Sequence, residues 1–269
     1  RTRADVVFHT AAHKHVPLLE ANPVEAVKNN VFGTKNIIDA ALAGEVERFV
    51  LVSTDKAVDP TSVYGASKLI AEELVLRQDT PGKVFLVVRF GNVLGSRGSI
   101  LPLFRQQILK GGPVTVTDPR SRRFFMTIPE AASLVLQAGG VGQPRGLYLL
   151  DMGEPVFIKE MAEQLVRFYG YQPEKEIRFL YTGLRPGEKI EERLWSDGDR
   201  ATATKYQKIL KLDRHYALNG QLEGVLERLK PICFFDGGNP ELYRNRTALR
   251  QTLKQVVPTV RIPENEPPH

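Results

Sequence analysis

The chain has 269 residues, 42% apolar and 25% charged, which suits one large or two small globular domains and argues against disorder. A single cysteine, Cys233, excludes a disulfide framework and favours a reducing compartment, and the longest apolar runs, such as Val84–Val88, are far shorter than the ~20 residues a bilayer span needs. The 37 basic residues exceed the 31 acidic ones, which favours anionic partners, but they are spread along the chain as on a solvated surface and form no nucleic-acid arm.

In chain order, Val6-Val7-Phe8 reads as a buried strand. Pro23 to Ala43 has helical apolar spacing at Val24, Val27, Val31, Ile37, Ile38 and Leu42, with Asn22 as cap, Pro23 in the first turn and Gly44 at the end. Phe49 to Val52 is a second buried strand, Tyr64 to Arg77 a helix, and Val84 to Val88 a third strand. Fully apolar strands alternating with amphipathic helices predict a parallel sheet covered on both faces, the doubly wound α/β class. After about Asn92 the segments shorten. A smaller cap-like region is expected, with strands at Val114–Thr117, Leu147–Leu150 and Ile177–Tyr181 and helices near Ile158–Tyr169 and Glu188–Trp195. From about Tyr216 a helical tail is expected, with stretches at Leu222–Leu229 and Pro240–Val256 and a frayed end from Pro263. The expected division is 1–113, 114–213 with some segments returning to the core, and 214–269.

The stretch that carries chemistry runs from Ser53 to Lys68. A strand ends in Ser53-Thr54-Asp55-Lys56, and Tyr64-Gly65-Ala66-Ser67-Lys68 opens a helix. Tyrosine and lysine four apart share a helix face. A phenol with a pKa of about 10 is a poor base at neutral pH, and a nearby ammonium lowers that value. The phenolate can then take a proton from an alcohol while hydride leaves the carbon. Tyr171 and Lys175 repeat the spacing, but Pro173 lies between them and no buried strand precedes them, so that copy is chance. His9, His13 and His15 lack further ligands at metal-site spacing, so no metal is expected.

Several motifs together resemble the extended short-chain dehydrogenases/reductases that act on nucleotide sugars, and more narrowly the UDP-N-acetylglucosamine 4,6-dehydratases of polysaccharide biosynthesis. They are Ser53-Thr54-Asp55-Lys56-Ala57, Tyr64-x-x-x-Lys68, the run from Arg89 to Ser99, Leu184-Arg185-Pro186-Gly187-Glu188-Lys189, Ala11-Ala12 and Asn30-Val31-x-Gly33-Thr34. The resemblance covers about residues 4 to 213. It implies a Rossmann-like fold and a UDP-sugar substrate. A tightly held NAD or NADP would oxidise C4 and return hydride to C6 after water is lost across C5–C6. It implies Tyr64 as base with Lys68 in support, Asp55 as acid with a raised pKa, and Lys56 as the C5 base with a lowered one. It assigns Ala11, Ala12, Asn30, Ser53, Tyr64, Lys68 and Phe90 to the cofactor. Thr54, Asn92, Ser99, Arg123, Arg185 and Glu188 fall to the substrate, the arginines as diphosphate partners.

Gly91, Gly95 and Gly98 imitate a dinucleotide fingerprint, but their spacing is wrong for one. The glycine-rich strand–turn–helix that opens a dinucleotide fold does not precede Val6, and the chain begins with Arg1 rather than Met. The expectation is a longer protein lacking roughly 60–80 residues here, about two βαβ-type units. Relatives of this kind include cytoplasmic forms and forms held at the inner membrane by upstream helices. Many of the anchored forms place Met where this chain has Tyr64. A homo-oligomer without nucleic acid is implied. Two other readings stay open: a C4 or C5 epimerase, which Tyr64 and Lys68 suit equally, and a non-catalytic dinucleotide-binding module. Asp55-Lys56 favours dehydration, because 4-epimerization needs no acid at C6.

Overall fold

The computed structural model describes residues 3–96, 98–213, 218 and 220–264. The apolar runs become β1 (Val6–His9), β2 (Arg48–Thr54) and β3 (Val84–Phe90). Between β1 and β2 lie α1 (Val16–Ala21), α2 (Pro23–Val27) and α3 (Gly33–Ala43); α4 (Val63–Leu76) links β2 to β3. There follow β4 (Asn92–Val93), α5 (Ile100–Leu109), β5 (Val114–Val116), β6 (Arg122–Arg123), β7 (Phe125–Met126), α6 (Ile128–Val141) and β8 (Gly146–Leu150). The chain continues through β9 (Val156–Phe157), α7 (Ile158–Phe168), β10 (Phe179–Tyr181), β11 (Arg200–Ala203), β12 (Ile209–Asp213), α8 (Leu222–Cys233) and α9 (Arg246–Val256).

The main sheet has the order β1-β2-β3-β8-β12-β11. Its first four strands are parallel, and β12 and β11 close it in antiparallel fashion. Alternate residues of each strand face opposite sides. Val50, Leu86, Val88, Tyr148 and Leu150 pack with Leu134, Val135 and Ala138 of α6. Phe49, Leu51, Phe85, Val87, Leu147 and Leu149 join the larger cluster that includes residues of α2, α4, α8 and α9. Helices on both faces make the sheet doubly wound, as the apolar strands predict. A third cluster, with Phe104, Ile108, Val114, Val116, Ile158, Ala162, Val166 and Ile177, forms the cap core. The cap strands pair as β4 with β7, β5 with β10 and β6 with β9.

Several local expectations need correction. β1 is not buried: among the described residues it pairs only with β2, and as an edge strand it leaves Val6 and Phe8 exposed. Residues 147–150 belong to the main sheet rather than the cap, because β8 takes its hydrogen bonds from β3 and β12. Residues 188–195 are not helical. Their backbone turns outward to other segments: the Leu194 carbonyl accepts from Arg89 and that of Ile190 from Arg122 N and Arg123. The predicted helix over 23–43 runs unbroken but includes a π turn at Lys28–Phe32, and the Asn22 side chain does not cap it, since its amide instead donates to Leu18 O. Gly44 ends it as expected, its N–H reaching Ala40 O.

In the tail, a 3-10 turn at Pro240–Leu242 precedes α9, whose cap is the Asn245 side chain. The expected tail start near Tyr216 and residues 265–269 of the expected frayed end lie outside the described residues. α8 and α9 are not an appendage: Val225, Leu229, Leu249 and Leu253 are core residues. Together with the sheet and α2 they leave all fourteen residues of α4 buried.

Candidate active site

β2 delivers Ser53 and Thr54 to the carboxyl end of the sheet, where open α/β folds bind ligands. The next three residues, Asp55–Ala57, form a 3-10 turn. Asp55 is fully buried. Its Oδ1 accepts from Lys56 Nζ at 2.9 Å and from Thr54 Oγ1 at 2.9 Å. Its Oδ2 finds no hydrogen-bond partner among the described residues. Lys56 Nζ also donates to Asn92 Oδ1 at 3.0 Å. Burial by itself would lower the Lys56 pKa, but the carboxylates of Asp55 and Glu192 outweigh it and carry the value above the ordinary lysine range. The lowered Lys56 pKa that the resemblance implies is therefore corrected: the ammonium sits in an ion pair.

α4 presents Tyr64 and Lys68 one turn apart. Ser62 caps it by accepting from Gly65 N at 3.0 Å. Gly65 has a steric reason to be glycine: a Cβ there would overlap the Lys56 carbonyl oxygen and lie 2.7 Å from Pro60 Cβ. The first turn of α4 is thus pressed against the turn that carries Asp55 and Lys56. Burial pushes the Tyr64 phenol above its usual pKa; the Lys56 charge and a hydrogen bond with Thr54 pull it down without offsetting burial. Lys56 rather than Lys68 is the cation acting on the phenol, contrary to the expectation from spacing. Lys68 Nζ donates to Val52 O at 2.8 Å, and burial lowers its pKa to about 8 against a partial restoring effect of Glu72.

The π turn places Asn30 inside the protein. Its Nδ2 donates to His13 O (3.0 Å) and Ser67 Oγ (3.0 Å), and its Oδ1 accepts from His13 N (2.9 Å) and Asn29 Nδ2 (3.1 Å). Both donors and both acceptor sites of the amide are used. Asn30 therefore ties the loop after β1 to α4. His9 joins this layer through a 2.9 Å bond to Thr34 Oγ1. Thr34 gives its own proton to Asn30 O, so His9 Nε2 is the donor. Burial, then the Lys68 charge, lowers the His9 pKa and favours the neutral ring.

Tyr64, Lys56 and Lys68 open on a cavity of about 500 Å³. Ala12, Ser53, Tyr64, Lys68 and Phe90 line it on the sheet side, with Thr54 and Lys56 beside them. Asn92, Ser99, Arg123, Arg185 and Glu188 line it from the cap and its loops. Asp55 lies beneath the surface, and Ala11 and Asn30 do not reach the lining. The Arg123 guanidinium is already engaged with the carbonyls of Arg122, Lys189 and Ile190. Arg185 and Glu188 sit in one turn, with Arg185 N donating to the Glu188 carboxylate at 3.1 Å. Sequence reasoning missed Lys14 and Ser121 in the wall, and missed Glu192, whose charge acts on both Lys56 and Tyr64. No spacing rule connects Glu192 to residue 56. Among the described residues, no group of three or more His, Cys, Asp and Glu side chains is placed to hold a metal ion. No helix among them is long and apolar enough to cross a membrane.

Residues 1–214 match the family model described as polysaccharide biosynthesis protein. The chain belongs to that family. The capsular polysaccharide biosynthesis protein CapD of Staphylococcus aureus is 49% identical over 225 residues, which cover 83% of this chain and 37% of CapD. A UDP-glucose 4-epimerase of Rickettsia typhi is 40% identical over 203 residues, 74% of this chain and 58% of that protein. The solved structure of Pen from Bacillus thuringiensis superposes with a TM-score of 0.70 at 38% identity, covering 77% of this chain and 65% of that one. This member of the family thus spans little more than a third of CapD and has the Rossmann-like fold expected from its motifs.

Proposed function

We propose that this chain supplies the catalytic residues of an NAD- or NADP-dependent nucleotide-sugar 4,6-dehydratase acting on a UDP-N-acetylhexosamine. The observation that carries the reading is the Asp55–Lys56 ion pair beside Tyr64, at the edge of a cavity of about 500 Å³. A cofactor fit is supported by Ser53, whose buried Oγ has no partner among the described residues and lies in the wall with Tyr64, Lys68 and Phe90. That hydroxyl suits a ribose or carboxamide group. When bound, the nicotinamide would accept hydride from C4 and return it at C6.

The chain's own residues move the protons. Tyr64 takes the proton of the C4 hydroxyl in its phenolate form, which burial disfavours and the Lys56 charge favours. The C4 carbonyl then acidifies C5–H. One proton shift along the 2.9 Å Lys56–Asp55 bond turns the ion pair into a neutral amine and a carboxylic acid. The ion pair is the resting form, so the neutral pair forms only as the C5 proton is taken. The amine takes the C5 proton while the acid protonates the C6 hydroxyl, which leaves as water. Hydride return at C6 and reprotonation of C5 by Lys56 complete the 4-keto-6-deoxy sugar. Tyr64 then holds the proton that the pair has lost, so the net change is one water.

A second reading is a C4 epimerase, favoured by the similarity to the Rickettsia typhi protein. One assay separates the two. The full-length protein is incubated with UDP-N-acetylglucosamine in D2O. A dehydratase gives a 4-keto-6-deoxy product with deuterium at C5; UDP-N-acetylgalactosamine free of solvent deuterium would establish the epimerase instead.

A further inference from the structure

The first turn of α4 leaves backbone N–H groups that no preceding turn can satisfy. Ser62 serves Gly65 N locally. Val63 N is served from far away: Glu20 Oε1, on α1, accepts it at 2.7 Å. The other oxygen of that carboxylate, Oε2, accepts from Arg250 Nη1 at 2.6 Å, and the Glu20 carbonyl accepts from Arg250 Nη2 at 2.7 Å. Arg250 lies on α9 and is fully buried; Glu20 is 8% exposed. Three segments far apart in sequence therefore meet on one carboxylate, one residue before Tyr64.

The same carboxylate also supports the cap-side turn. A Cβ on Gly187 would lie 3.2 Å from Glu20 Oε1 and 2.7 Å from Ser62 Cβ. The turn bearing Arg185 and Glu188 rests against this point, and Thr61 Oγ1 donates to Gly187 O at 3.1 Å to hold it. We propose that Glu20 and Arg250 form a positioning pair through which the C-terminal helix α9 sets where α4 begins, and with it Tyr64 and the 184–189 turn. Its catalytic consequence rests on the dehydratase reading above.

Stability alone is a poor reason for this arrangement. Buried ion pairs contribute little net stability compared with apolar packing, and Ser62 already starts the helix. What the pair adds is a single orientation: Arg250 holds the carboxylate at one oxygen and through the Glu20 backbone, so the other oxygen meets Val63 N in one place. α9 lies beyond the residues matched by the family model, so no reading of the 1–214 motifs would have found it.

The test uses the full-length protein with Arg250→Met, Arg250→Lys and Leu253→Ala. Leu253 is a buried apolar residue of the same helix and serves as the control for lost packing. Two quantities are read: amide exchange of residues 62–66 by mass spectrometry, and kcat and KM with UDP-N-acetylglucosamine. Arg250→Met is expected to speed exchange at 62–66 and to lower kcat by about 10- to 100-fold, as for a displaced catalytic group, with a much smaller change in KM. Arg250→Lys keeps the charge but not the two-pronged contact, and recovers part of both. Leu253→Ala lowers the melting temperature and leaves kcat and that exchange unchanged. Unchanged exchange in Arg250→Met, or an equal loss of kcat in Leu253→Ala, would overturn the proposal. Should Arg250→Met not fold, Arg250→Lys carries the same comparison. A wild-type protein that does not dehydrate the sugar nucleotide would sink the dehydratase reading instead, and the exchange data would still decide the positioning pair.

Discussion

Lys56 Nζ lies 2.9 Å from Asp55 Oδ1, an ion pair between consecutive residues, one with a fully buried carboxylate and the other with its side chain in the cavity wall. Consecutive side chains on a strand point to opposite faces. Here the 3-10 turn that ends β2 folds the two back onto each other. One short segment thus places an acid and a base within a proton's transfer distance.

Lys56→Ala and Asp55→Asn are each expected to lower turnover by about 10²- to 10⁴-fold, the usual range for loss of a general acid or base. Lys56→Ala removes the C5 base and also the charge that favours the Tyr64 phenolate, so C5 exchange with solvent stops and the formation of reduced nicotinamide, read by stopped-flow absorbance, slows. Full turnover by Lys56→Ala would remove Lys56 from the mechanism.

Lys68 links stability to pH. Its folded pKa is about 8, against an ordinary 10.5. Between those values the unfolded chain binds more protons, so this group makes the folded state more stable as pH rises from 8 towards 10.5 and less stable below. Lys68→Met should flatten that part of the curve. Urea unfolding of both proteins at several pH values reads the difference, and parallel curves would contradict the burial argument.

Gly65→Ala should disturb the site without touching a reacting group. The added methyl meets the Lys56 carbonyl oxygen and Pro60, both rigid neighbours. Either α4 or the Asp55–Ala57 turn must move. A drop in kcat of about 10²-fold is expected, since a displacement of about 1 Å has that effect. Steady-state kinetics with an intact circular dichroism spectrum checks it.

Arg89 and Glu72 form a two-pronged buried pair at 3.1 and 2.6 Å, and Arg89 also donates to Leu194 O. Arg89→Met alone should destabilise by about 3–5 kcal/mol, because it removes the two-pronged partner of a fully buried carboxylate. Arg89→Met with Glu72→Leu should recover most of that loss. A double-mutant cycle by urea unfolding measures the coupling, and additive effects would rule it out.

Much of the scaffold was legible in advance. β2, β3, α4 and α7 follow from apolar runs, helical spacing and flanking breakers, all signals local to each segment. Tyr64 and Lys68 were legible because a spacing of four on a helix sets a shared face whatever surrounds it. The motif order led from there to the family.

Charge states and partners were not legible. The Lys56 pKa is raised rather than lowered because the Asp55 carboxylate, and after it Glu192, remote in sequence, outweigh burial. The structural partners of Asn30 were equally hidden: the π turn directs its amide to His13 and Ser67. The expected helix over 188–195 gave way to tertiary hydrogen bonds with β3 and β6.

The sequence by itself determined where strands and helices form and which titratable residues stand near the end of β2. Those outcomes depend on backbone geometry and side-chain periodicity within a few residues. Only the tertiary structure decided which charges act on one another: Glu192 on Lys56, Glu72 with Arg89, and Glu20 with Arg250. Electrostatic coupling acts over a few ångströms of space, and sheet order and helix packing set that distance whatever the separation along the chain.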